Sequence, residues 1–70
     1  MNGYKNWTHW NVSLWINNDE GFYNLALECK ELSNNLNEAA LQFISQVGTG
    51  STPDGASWSL SAVKAAIKEL

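Results

Sequence analysis

The chain has one cysteine, one histidine, one proline and few cations, and each shortage excludes something. With Cys29 alone, no disulfide can close within the chain. Cys29 and His9 do not make a ligand set, so a tetrahedral zinc site is not expected, and neither is any other metal or cofactor. No apolar run approaches the roughly 18 residues that a membrane span needs. No signal-like apolar stretch stands near the start, so the formal glycosylation triplets Asn6-Trp7-Thr8 and Asn11-Val12-Ser13 are expected to go unused. Asn2 stands where N-myristoylation requires glycine. The expected setting is the cytoplasm, with a reduced thiol.

Positive charge is also scarce. Four lysines face seven acids, for a net charge of −3. Residues 1–18 carry only Lys5. Residues 19–38 carry Asp19, Glu20, Glu28, Glu31 and Glu38 against Lys30. With no basic patch to neutralise phosphates, direct nucleic-acid binding is disfavoured. The acidic middle segment reads as a solvated helix face or as a surface for a basic partner.

Catalytic patterns are missing too. "GTGSTPDG" has glycines and hydroxyls, but no lysine at the P-loop position and no preceding strand. Cys29 lies in an apolar stripe, as a structural cysteine does. Asp19 and Glu20 are adjacent, so their side chains diverge on a helix and mark its start rather than an acid/base pair. His9 is expected to be exposed. An enzyme is not expected.

What the chain does have is tryptophan. "NWTHWNVSLWINND", residues 6–19, holds three of the four within nine residues. A chain of 70 residues buries only about 60% of its unfolded surface, so aromatic packing or self-association must supply stability. The pattern predicts an all-α single domain, a small bundle of about four short helices. They are placed over about 8–17, 19–32, 35–47 and 59–69, with a connecting loop over 48–57.

In the first helix, Trp7, Trp10 and Leu14 share one face at 100° per residue and are the expected core residues. Val12, Trp15 and Ile16 share another, and His9, Ser13 and Asn17 form a polar stripe. A helix apolar over most of its circumference is contacted on two sides. Trp15 lies nearly opposite Trp10, so one of the two is expected at an interface. The second helix has the stripe Phe22, Leu25, Ala26, Cys29 and Leu32, capped from Asn18 or Asp19. The third has Leu36, Ala39, Ala40, Phe43, Ile44 and Val47. Asn35 and Glu38 stand at capping-box spacing, and Gly48 is the stop. The last has Leu60, Val63, Ile67 and Leu70, with Ser57 or Ser59 as cap and Trp58 placed like a staple before it. Pro53-Asp54-Gly55 is a turn signature. The loop around it reads as a plain connector, although ten residues is long for so small a domain.

"NWTHWNVSLWINNDEGFYNLALE" resembles the opening segment of a family of small phage and plasmid proteins with the pattern N-[YW]-x-T-W-N-V-x-L-W-I-x-N-D. Asn6, Trp10, Asn11, Val12, Leu14, Trp15, Ile16, Asn18, Asp19 and Tyr23 carry the resemblance. "SWSLSAVKAAIKEL" is similar to the family's second element. His9 departs from the usual Thr, which leaves the first cap to Thr8 or Asn6. The resemblance implies a mobile-element origin and an α-helical domain, and it supplies no reaction. In such a pattern Asn11 would bond an indole N–H or a chain turn.

The expectation is therefore a phage-encoded interaction protein that docks on a host protein in the host cytoplasm and inhibits or redirects it. Trp15, Asp19, Glu20, Tyr23 and Glu28 are the expected partner-binding residues. A homo-oligomeric structural or accessory protein is the alternative. An acidic DNA mimic or anti-restriction inhibitor is a further one.

Overall fold

The computed structural model describes residues 3–70, and its four helices follow one another around a square. They are α1 (Trp7–Asn18), α2 (Glu20–Leu32), α3 (Leu36–Val47) and α4 (Leu60–Lys68). Each packs on the next, α4 returns to α1, and α2 approaches α4 across the shorter diagonal.

Each helix begins on a side chain that takes an otherwise orphan N–H. Asn6 Oδ1 accepts from His9 N (3.0 Å), Asp19 Oδ2 from Phe22 N (2.9 Å), Asn35 Oδ1 from Glu38 N (2.8 Å) and Ser59 Oγ from Ala62 N (3.2 Å). Such caps contribute about 1 kcal/mol each. Asp19 also closes α1, since its own N–H reaches Trp15 O at 3.0 Å. The two helices thus share one corner residue. Gly48 ends α3 at φ 81°, a left-handed conformation that glycine adopts without a Cβ clash.

The core is built from small and branched residues. Val12 and Ile16 share one buried cluster with Ala26, Cys29, Ala39, Ala40, Ala62, Val63, Ala66 and Ile67, and Phe43 and Trp58 supply the bulk. Four rings continue the core edge to face. Trp15 and Phe22 lie 6.4 Å apart, and Phe22–Trp58 and Phe43–Trp58 are 5.2 Å each. Edge-to-face pairs of this kind add about 0.5–1.5 kcal/mol each beyond area burial. Trp58 is the staple that the sequence predicts.

The inward face of α1 is not the expected one. Val12 and Ile16 are fully buried, while Trp7 is 44% exposed and Trp10 and Leu14 are half-buried on the opposite side. The buried residues of its neighbours α2 and α4 are Ala26, Cys29, Ala62, Val63, Ala66 and Ile67, small and branched side chains with which Val12 and Ile16 form the core. The polar stripe is corrected as well. His9 is half-buried, with Nε2 3.0 Å from Ser61 Oγ of α4, and Ser13 is buried. Asn17 Nδ2 donates to the Ser13 carbonyl (2.8 Å) and hydroxyl (3.2 Å). Leu32 and Leu60, expected in stripes, end outside, Leu32 at 78% exposure. Helix α1 starts at Trp7 and ends at Asn18, one residue beyond the expected bounds at each end, because Asn6 is the cap.

Candidate functional site

Residues 48–59 are not a plain connector. Ser51 and Ser57 form an antiparallel bridge. Thr52 N donates to Ala56 O (2.7 Å), Gly55 N to Thr52 O (2.8 Å), and Trp58 N to Gly50 O (3.2 Å). Proline at 53 and glycine at 55, with φ 95°, suit this tight turn. Trp58 Nε1 donates to Thr49 Oγ1 at 3.1 Å, which secures the loop from its other end.

The turn is latched onto α1. Thr52 Oγ1 donates to Asn11 Oδ1 at 2.6 Å and accepts from Ala56 N at 3.1 Å. Asn11 Nδ2 donates to Asp54 Oδ2 at 2.8 Å, and Trp15 Nε1 donates to the same oxygen at 2.9 Å. Asn11 and Trp15 are four positions apart, so both aim from one side of α1. The Asn11 hydrogen bond, then that of Trp15, holds the Asp54 carboxyl below its usual range, against a smaller opposing effect of desolvation. The two side-chain donors to Asp54 among the described residues, the Asn11 amide and the Trp15 indole, are neutral. The arrangement fastens a loop.

The expected partner-binding residues separate into two groups. Trp15 is half-buried, with its N–H on Asp54 and its ring edge-on to Phe22. Asp19 is the corner cap. Glu20, Tyr23 and Glu28 lie on the solvent side of α2, together with Glu31 and the half-buried Leu27. Lys30, the one cation of α2, stands in its last turn, where Nζ donates to the Leu70 carbonyl. The outer side of α2 therefore carries Glu20, Glu28 and Glu31, with Tyr23, 38% exposed, at its edge.

Reading the sequence missed Thr52 and Asp54 as partners of α1. The available signal was the pair Asn11 and Trp15 on one side of an apolar helix, whose polar hydrogens needed an acceptor, beside a Pro-Asp-Gly turn elsewhere in the chain. Asn11 itself does bond a chain turn.

Other reactive groups are quiet or incomplete. Cys29 is buried, and burial first, then the Glu28 charge, pushes its thiol pKa up, away from thiolate. His9 and Ser61 touch, but among the described residues no carboxylate is hydrogen-bonded to the imidazole. No cluster of three His, Cys, Asp or Glu that could hold a metal occurs among the described residues. Among the described residues no helix is long and apolar enough to cross a membrane. An open hollow of about 450 Å³ between the N-terminal segment, α1 and α4 is lined by Lys5, His9, Ser13 and Glu69 among others.

A family model matches residues 1–70, the whole chain. The chain belongs to DUF7249, a family of unknown function. No curated protein and no solved structure matches it. The DUF7249 match thus adds membership and full coverage to the geometry, and no chemistry.

Proposed function

We propose that this chain is a phage-encoded interaction protein that docks on a basic surface of a host protein through the outer face of α2. The observation that carries the reading is the exposure of Glu20, Glu28 and Glu31 on the outer side of α2, with Tyr23 exposed at its edge and Lys30 bonded to Leu70. Carboxylates on one face attract a basic partner and speed encounter, while an aromatic ring supplies contact area at low entropy cost. The resemblance of residues 6–23 to phage and plasmid proteins supports a host cytoplasm as the setting. Inhibition or redirection of the bound protein is the expected consequence. Trp15 leaves the proposed contact set because its N–H and ring are already engaged by Asp54 and Phe22.

The test is parallel capture from host lysate, with nuclease, by the wild-type chain and by a variant combining E20K, E28K and E31K. The three substituted side chains are exposed, so the helical circular dichroism signal should persist. The reading expects a host protein that the wild type retains and the variant loses. A partner held equally by both would sink the acidic-face assignment.

A further inference from the structure

We infer that copies of this chain associate head to tail, with the anionic outer side of α2 in one copy seated on the cationic outer side of α4 in the next. The net charge of −3 is unevenly placed. Glu20, Glu28 and Glu31 are exposed on α2, whose one cation, Lys30, is bonded to the Leu70 carbonyl. Lys64 and Lys68 are exposed on α4. They line an open groove of about 610 Å³ with His9, Leu36, Leu60 and Ala65 among others. No carboxylate among the described residues lines that groove. Glu69, near the end of α4, lines a different hollow, together with Lys5.

The fold makes the contact heterologous. In the square of helices α2 and α4 stand at opposite corners, so their outer sides face away from one another. A chain cannot fill its own groove with its own α2. A two-fold pairing through either side would set Glu20, Glu28 and Glu31, or Lys64 and Lys68, against their own copies, where like charges repel. Front-to-back pairing sets opposite charges together instead. The complement that the groove needs, carboxylates beside an apolar side chain, is present on every copy.

The two sides also match in form. Glu20, half-buried Leu27 and Glu31 fall within about 40° of one another at 100° per residue, with Glu28 and Tyr23 at either edge. Leu60, Lys64 and Lys68 follow one another at four-residue steps, so they share one side of α4. Leu60 is 38% exposed, and Leu36 beside the groove is half-buried. At 1.5 Å per residue the acidic row is about 16 Å long and the basic row about 12 Å. Two lysines against three glutamates, all exposed, make a weak contact that salt screens. A pair leaves one free side of each sign, so association continues past two chains.

Sedimentation equilibrium of the full chain, from low micromolar to millimolar concentration, tests this in low salt and again in about 1 M salt, where screening is nearly complete. In low salt the average mass should exceed two chains at the highest concentration. In high salt it should return to one. K64E should weaken association by about tenfold or more. K5E makes the same change of net charge outside the groove and should weaken it by less than about twofold. Equal losses in the two variants would mean that net charge alone acts, and would overturn the inference. So would a wild type that stays monomeric in low salt, a mass that levels at two chains, or association that persists in high salt. Circular dichroism checks each fold, and K64Q should give the same direction of change without a reversed charge. In the wild type alone, dilution should shift the backbone resonances of Glu28, Glu31, Lys64 and Lys68 together; shifts missing from either helix would refute the contact.

The α2 half of this inference rests on the acidic side used in the host-docking reading, and the α4 half does not. A monomeric chain whose host capture still depends on Glu20, Glu28 and Glu31 would end the inference and leave that reading in place. Association that depends on Lys64, with no host protein captured, would do the reverse.

Discussion

Replacing Asn11 by alanine tests the latch between α1 and the loop. The Asn11 side chain is only 1% exposed and makes two hydrogen bonds, one to Thr52 Oγ1 and one to Asp54. Asp54 is exposed and can turn to water. Thr52 is buried, so its hydroxyl loses its acceptor with no water to replace it. An unpaired buried polar group costs about 1–3 kcal/mol. The missing side-chain volume adds roughly 1 kcal/mol. The sum, about 2–4 kcal/mol, is large beside the roughly 4–10 kcal/mol expected for a chain of 70 residues. It corresponds to a fall in melting temperature on the order of 10–25 °C in a domain of this size. Thermal and urea unfolding followed by circular dichroism would measure it. A variant within about 0.5 kcal/mol of the wild type, the range of an ordinary surface change, would refute the latch.

Three further outcomes follow from the same geometry. The Asp54 carboxyl sits below its usual value of 3.8 when folded. Its contribution to stability is therefore fully present above that value and is lost as the pH falls through the lower folded value. The difference in melting temperature between wild type and D54N should be constant near neutrality and shrink in strong acid. Trp58, buried between Phe22 and Phe43, should cost about 3–5 kcal/mol when changed to alanine; urea titration should find that variant close to unfolded. Cys29 should react slowly with a thiol reagent in the native chain and fully in urea, since burial both shields the thiol and disfavours the thiolate.

Helix ends were legible in the sequence because capping is local. Asn35 with Glu38, Ser59 before α4, Asp19 before α2 and Gly48 after α3 each act within a few residues of themselves. The inward side of α1 was not, because apolar residues ring that helix. Which of them turns inward depends on the alanines of other helices, and no spacing within residues 7–18 encodes those. The loop's role was half legible. Asn11 pointed to a chain turn, but its partners Thr52 and Asp54 lie 41 and 43 positions away. Of the expected binding residues, Glu20, Tyr23 and Glu28 share an outer face because α2 has a well-defined inner one. The size of Trp15 points to an interface, whereas its indole N–H, which needs an acceptor, ties it to Asp54.

The most direct measurement is the salt dependence of binding between the purified chain and the host protein it captures. The acidic-face account predicts affinity that falls steadily as ionic strength rises, with the fall flattened when Glu20, Glu28 and Glu31 are changed to glutamine. Salt-insensitive binding that survives those three changes and disappears with W7E would contradict it, and would assign the docking surface to α1 instead.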